Sequence, residues 1–153
     1  KALARAGYVP VCFDNLSTGW AEAVKFGPLV QGDLMDRATI DAALRDWKPV
    51  AVMHFAASAY VGESVREPVR YYDNNVRGMI GLMLGCAEAG VDRIVFSSSC
   101  ATYGVPDSLP IRETSPQNPI NPYGQTKLIC EHILRDIAAS SGLRYAALRY
   151  FNA

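Results

Sequence analysis

Charge of either sign is missing from this chain as a surplus: Lys plus Arg number 15 and Asp plus Glu 15, so the formal net charge is zero. That balance leaves no basic footprint for nucleic acid and no attraction to an acidic membrane surface. Long apolar runs are missing too, each being broken well short of the ~20 residues a bilayer crossing needs, and no leader with a basic start and an apolar middle opens the chain. A soluble protein without a membrane partner is expected. Histidine is scarce, with only His54 and His132, and the four cysteines (Cys12, Cys86, Cys100, Cys130) lack metal-ligand or redox spacing. No metal site is expected, His54 reads as a structural residue in an apolar strand, and the thiols fit reduced, mostly buried groups in a cytosolic protein. What is present is apolar mass. Half of the 153 residues are hydrophobic, enough for about one domain with a sizeable core.

Strand-like and helix-like segments alternate along the chain. Lys1 to Arg5 reads as the last turns of a helix closed by Gly7, and a helix that begins mid-pattern without an N-cap implies that residues once preceded Lys1. Val9 to Phe13 is a short β-rich run ending in Asp14-Asn15, and Leu29 to Gln31 a second one leading to Gly32-Asp33. An amphipathic helix follows from Arg37 to Trp47, with Ile40, Ala43 and Leu44 on one face and Pro49 beyond its end. Val50 to Ala57 is nearly unbroken in its apolarity, the signature of a parallel strand buried on both faces. A long helix is predicted from Val69 to Ala89 with Gly90 as its cap, then a strand from Arg93 to Phe96 ending in Ser97-Ser98-Ser99. Five prolines between Gly104 and Pro122 exclude regular structure, and such stretches are often active-site or lid segments. Asn121 caps a helix to Ser140, with Pro122 tolerated in its first turn, and Tyr145 to Phe151 is a fifth strand. Strands separated by helices predict an α/β fold with a doubly wound parallel sheet, residues 1–153 forming one domain.

In such a sheet a ligand sits outside the carboxyl ends of the strands, where Asp14, Asp33, Phe55 to Ser58, Ser97 to Ser99 and Phe151-Asn152 fall. Asp14 reads either as the carboxylate that grips the adenosine ribose of a dinucleotide, repelling the extra phosphate of NADP, or as a turn former in Asp-Asn. Asp33 either accepts from an adenine amino group or caps the next helix. Tyr123 and Lys127 lie four residues apart in a predicted helix, so their heads share a face. A free tyrosine titrates near ~10, and a neighbouring cation favours its phenolate. The pair is therefore a candidate for proton transfer, with a simple surface contact as the alternative. Ser99 is placed at the reacting centre because a hydroxyl donates and accepts at once, while Ser97 and Ser98 would satisfy backbone groups. Asn74 and Asn75 are poor helix formers inside a predicted helix. One of them bonds backbone near the serine strand, or both are exposed.

Seven segments together resemble a known family: Asp14-Asn15-Leu16, His54-Phe55-Ala56-Ala57, Val61-Gly62-Glu63-Ser64, Tyr71-Tyr72-Asp73-Asn74-Asn75-Val76, Ser97 through Gly104, Asn121 through Lys127, and Arg149-Tyr150-Phe151-Asn152. In this order they resemble the extended short-chain dehydrogenase/reductases, and among these the family of UDP-glucose 4-epimerases. The resemblance implies a Rossmann-like domain that holds NAD along Asp14, Asn15, Leu16, Ser17, Thr18, Gly19, Asp33, Leu34, Phe55, Ala56, Ala57, Ser58, Ala59, Asn74, Ser99, Tyr123, Lys127 and Phe151. It implies Ser99, Tyr123 and Lys127 as catalytic, and Ser99, Tyr123 and Asn152 against a UDP-sugar. It also implies cytoplasmic residence and a homodimer through the long helices.

Two parts of that family's pattern are absent: the glycine-rich phosphate loop with its strand, and a substrate domain after Ala153. The absent strand would lie between the one ending at Asp14 and the one ending near Ala57, leaving two edges unpaired. The isolated 153-residue chain is therefore expected to bind NAD poorly and to show no turnover; tight binding in a calorimeter overturns this. Epimerases acting on UDP-arabinose share these signatures, and a non-catalytic NAD-binding relative is the alternative of a different class, although it would not need Ser99, Tyr123 and Lys127 together. The related 4,6-dehydratases carry an acidic pair where this chain has Cys100-Ala101.

Overall fold

A computed structural model describes residues 1–151. Five parallel strands carry the fold: β1 (Cys12–Asp14), β2 (Leu29–Gln31), β3 (Val52–His54), β4 (Arg93–Ser99) and β5 (Arg144–Tyr150). They form two sheets, β1 with β2 and β3-β4-β5 in that order, every pairing parallel. β1 and β3, between which the sequence predicts an unpaired gap, thus fall in different sheets. Phe13 of β1 nevertheless packs against the same core as β4, so one apolar interior serves both sheets.

The helices are set by local chemistry. In α2 (Arg37–Trp47) the Asp36 carboxylate accepts from the Ala38 and Thr39 amides, and the chain leaves through Lys48 in the left-handed region, just before Pro49. Asp36 thus takes the capping role that the sequence offers to Asp33. In α6 (Pro122–Ser141) Asn121 accepts from the Gly124 amide, Pro122 occupies the first turn and Gly142 closes the helix. The predicted long helix over Val69–Ala89 is three pieces: α4 (Pro68–Tyr71), a π-helical segment (Tyr72–Arg77) and α5 (Gly78–Ala89), capped by Gly90 as expected. The short α3 (Val61–Arg66) has no counterpart in the periodicity, and α1 (Ala2–Arg5) buries nothing.

Ile40 and Leu44 of α2, Met79, Leu82, Met83 and Cys86 of α5, and Cys130 and Leu134 of α6 meet Ile94 and Phe96 of β4 in one cluster. The alternation of β4 explains this: Ile94, Phe96 and Ser98 point into the helix layer and are buried, while Val95, Ser97 and Ser99 point to the other face. That second face is open among the described residues, with Met53 43%, Leu148 41% and Tyr150 41% exposed. The expectation of a third strand buried on both faces therefore fails at Met53, and the strand is shorter than its apolar run. Phe55 to Ala59 form a loop beyond its end. Gly104 to Asn121 contain no helix or strand, as the prolines require.

Candidate active site

The carboxyl ends of β1, β3, β4 and β5 deliver Asp14, the Phe55–Ala59 loop, Ser99 and Phe151 respectively. Helix α6 reaches the end of β4 by close packing. A Cβ on Gly124 would lie 2.5 Å from the Ala101 carbonyl oxygen and 3.0 Å from the Pro119 Cβ, so only glycine lets the first turn press onto the 3-10 turn Cys100–Thr102. That contact sets Tyr123 beside the turn that begins at Ser99. Ser99 caps it, its hydroxyl accepting from the Ala101 amide at 3.2 Å and keeping its own proton for another partner. Ser98 takes a different role from the backbone one expected of it, donating to the Glu131 carboxylate at 2.5 Å.

Lys127, one turn beyond Tyr123, is 3% exposed. Its Nζ donates to the Ser97 carbonyl at 2.8 Å, lies 4.9 Å from the centre of the Phe96 ring and 5.8 Å from that of Tyr123. Burial without a carboxylate partner pulls its pKa down to about 8. His54 stacks on Phe96 at 5.6 Å, and burial, reinforced by Lys127, pushes it down to about 4, so it is neutral at pH 7 and serves as structure.

At the carboxyl end of β1, in the other sheet, Asp14 accepts from the Leu16 amide at 2.7 Å through Oδ1, while Oδ2 has no hydrogen-bond partner among the described residues. Leu16 sits at φ 57°, which turns the chain around the carboxylate, and the Ser17 amide donates to Asn15. Asp33 accepts from Asn15 Nδ2 at 2.9 Å and from the Met35 amide at 2.8 Å, bonds that hold its carboxyl below the usual range. Ser17, Thr18, Gly19, Ala56 and Ala59 are exposed and Leu34 is half-buried. Phe55 and Phe151 present apolar rings at the strand ends, 56% and 53% exposed, and Phe151 stacks near Tyr103. Asn74 is half-buried, its amide donating to Asn75 at 2.9 Å. Asn152 lies outside the described residues.

One cluster escaped the sequence reading. Glu131 accepts from Ser98, from Gln117 and from Arg149, the last with its Nη2 at 2.6 Å, and Arg149 also donates to the Tyr103 hydroxyl and the Glu113 carbonyl. This ion pair ties the proline-rich segment to α6, β4 and β5. The available signal was a carboxylate four residues after Lys127, on the buried face of α6.

Among the described residues no helix is long and apolar enough to cross a membrane. Residues 1–153 match the NAD dependent epimerase/dehydratase family. The chain belongs to that family. Of its relatives, the UDP-glucose 4-epimerase of Rhizobium meliloti (strain 1021) is 54% identical over 99% of this chain and 46% of its own length. The UDP-glucose 4-epimerase from Brucella ovis, solved in complex with NAD, superposes with a TM-score of 0.97 at 58% identity over 99% of this chain and 46% of its own. The enzyme from Bifidobacterium longum, solved with NAD+ and UDP, gives 0.95 at 35% identity. The epimerase-family chain thus spans about 46% of the length of the relatives it matches. In fold it is the Rossmann-like part of such proteins, an α/β unit with parallel strands.

Proposed function

We propose that this chain is the NAD-binding and proton-transferring part of a UDP-glucose 4-epimerase, which interconverts UDP-glucose and UDP-galactose. The observation that carries the reading is the docking of the first turn of α6 onto the turn after Ser99, which puts Tyr123, Lys127 and Ser99 at one strand end. NAD fits the residues present: Asp14 Oδ2 is available for ribose hydroxyls, and Asn15 to Gly19, Asp33, Leu34, Phe55 to Ala59, Asn74 and Phe151 supply polar and apolar walls around the strand ends. NAD held there would supply the redox chemistry, a reversible hydride exchange at the sugar 4-carbon. The protein's own groups move the proton. Tyr123, as phenolate, takes the proton of the 4-hydroxyl and later returns it to the 4-keto oxygen. Lys127, its Nζ 5.8 Å from the centre of the Tyr123 ring, sets a cation beside the phenol and offers its ammonium to the nicotinamide ribose. Ser99 hydrogen-bonds the same sugar oxygen in both redox states, and Asn152 contacts the sugar nucleotide.

The test is direct: the full-length protein given UDP-galactose should yield UDP-glucose, and NAD binding without conversion of any UDP-sugar removes the reading in favour of a non-catalytic relative. A neighbouring substrate, such as UDP-arabinose, is the second reading. It draws support from solved relatives, among them a Stenotrophomonas maltophila UDP-glucose 4-epimerase holding formylated UDP-arabinopyranose, 39% identical to this chain. Exposed Val69, Ile80 and Leu84 along α4 and α5 support a homodimer of the full-length protein, which sedimentation would detect. Cytoplasmic residence accords with four free cysteines.

A further inference from the structure

We propose that Tyr103 is a positioning residue: its ring is the floor on which Phe151, a wall of the NAD site, is held at the end of β5 beside Ser99. The proposal rests on the NAD-binding reading above. Tyr103 closes the 3-10 turn that Ser99 opens. Ser99 pairs in register with Tyr150, so Phe151 lies one residue past the partner of the serine assigned to the reacting centre. The Tyr103 and Phe151 rings stack with centroids 6.3 Å apart and planes 27° from parallel, inside the range at which aromatic side chains attract. Their surroundings are unequal. Tyr103 is 4% exposed and Phe151 53%, so one ring is anchored in the body of the fold while the other keeps surface free for a ligand.

The anchor is held from three sides. The Tyr103 amide donates to the Cys100 carbonyl at 3.0 Å, and Thr102 Oγ1 donates to the Ser99 carbonyl at 3.0 Å, which closes the turn. Gly104 then leaves at φ +67°, where a Cβ would lie 1.9 Å from the Asn118 carbonyl oxygen, so the proline-rich segment packs directly against the chain after Tyr103. The Tyr103 hydroxyl accepts from Arg149 Nη1 at 2.7 Å, and that guanidinium, itself held by Glu131, lies 5.0 Å from the ring centre. Arg149 and Phe151 are two residues apart, the spacing that puts the side chains of an extended chain on one side. Tyr103 meets both, one through its hydroxyl and the other through its ring. A half-exposed phenylalanine past a strand end turns between rotamers unless something packs beneath it. With Tyr103 as its floor, Phe151 is ordered before the cofactor arrives, which spares the cost of ordering it on binding.

The test compares full-length wild type with Tyr103→Leu, Tyr103→Phe, Phe151→Ala and the double variant Tyr103→Leu/Phe151→Ala. Titration reads the NAD dissociation constant and urea denaturation the stability. Tyr103→Leu removes the floor and is expected to weaken NAD binding ~10-fold, the scale of one aromatic contact. Tyr103→Phe keeps the ring and loses only the Arg149 bond, so it should lose stability yet bind NAD within ~2-fold of wild type. A general role in the fold would instead weaken binding in step with stability. In the Phe151→Ala background Tyr103→Leu should cost no further affinity, because two groups that act through one contact are not additive. Additive losses overturn the proposal, as does equal weakening by the Phe and Leu variants, or a Tyr103→Leu protein that binds NAD as tightly as wild type. Should Tyr103→Leu not fold, Tyr103→Met, which fills space without a flat ring, takes its place with the same outcomes. Wild type that binds no NAD removes the functional reading, and this proposal with it.

Discussion

Tyr123→Phe should abolish epimerisation in the full-length protein, lowering kcat by about 10²–10⁴-fold while NAD remains bound. The expectation follows from what else is within reach of the end of β4. His54 is buried, stacked and neutral, Glu131 is locked to Arg149, and Asp14 lies at the end of a strand in the other sheet. Removing the phenol oxygen leaves Ser99 alone at the sugar oxygen, and a serine hydroxyl is too weak a base to replace it. Single-turnover absorbance of bound NAD on adding UDP-galactose reads the step; reduction at the wild-type rate in Tyr123→Phe would show that the proton leaves by another route. Lys127→Met should act through the same group, shifting the rise of activity to higher pH because the phenolate loses its cation. The substitution should also raise the melting temperature of the ligand-free protein at pH 7. Lys127 carries a folded pKa of about 8 against 10.5 for the free side chain, so folding disfavours its charged form. The native state binds fewer protons than the unfolded chain between these values, so wild-type stability rises with pH across that window. The methionine variant should lack that rise.

The outline of the fold was legible because its determinants are local. Short β-rich runs marked β1, β2, β4 and β5, and the caps Asn121 and Gly90 placed helix ends within a residue or two. The candidate site was partly legible for a related reason: Asp14 and Ser99 end β1 and β4, the positions at which an α/β fold collects ligand-facing residues, whereas Tyr123 arrives on the first turn of α6. What remained hidden depends on contacts between distant residues. Nothing in the run Tyr72 to Arg77 signals a π-helical turn until Asn75 finds Ser58 and Thr126. The six-residue α3 is too short for a helical period to show. Met53 reads as interior from its apolar neighbours, yet its face of β3 stays open because the packed helices α2, α5 and α6 all lie on the other side. Asp33 and Asp36 both suit a helix start, and only the backbone geometry selects Asp36.

Arg149→Leu should lower stability by about 3–5 kcal/mol at neutral pH, because it leaves the Glu131 carboxylate buried without its counter-ion. The side chains of Arg149 and Glu131 are 21% and 8% exposed, and the pair makes bonds at 2.6, 3.0 and 3.2 Å, so solvent screens it far less than a surface bridge. Burial raises the Glu131 pKa, and hydrogen bonds from Arg149, Ser98 and Gln117 outweigh it, holding the carboxyl below the usual range. A carboxyl whose folded pKa is depressed contributes stability above its unfolded value and loses that contribution as pH falls through the folded one. In the variant burial dominates, Glu131 titrates higher, and protonation relieves the unpaired charge. The stability gap between wild type and Arg149→Leu should therefore be widest near neutrality and close as the solution is acidified through the carboxylate range. Urea denaturation at several pH values measures it, and a gap independent of pH would mean that lost packing, not the stranded carboxylate, sets the cost. Removing both charges in Arg149→Leu/Glu131→Leu should restore much of the stability, since no buried ion remains. It should not restore activity: Ser98 would lose its acceptor and the 104–121 segment the side-chain tethers Gln117 to Glu131 and Arg149 to Glu113, both of which meet the body of the fold at Ser98, the residue before Ser99.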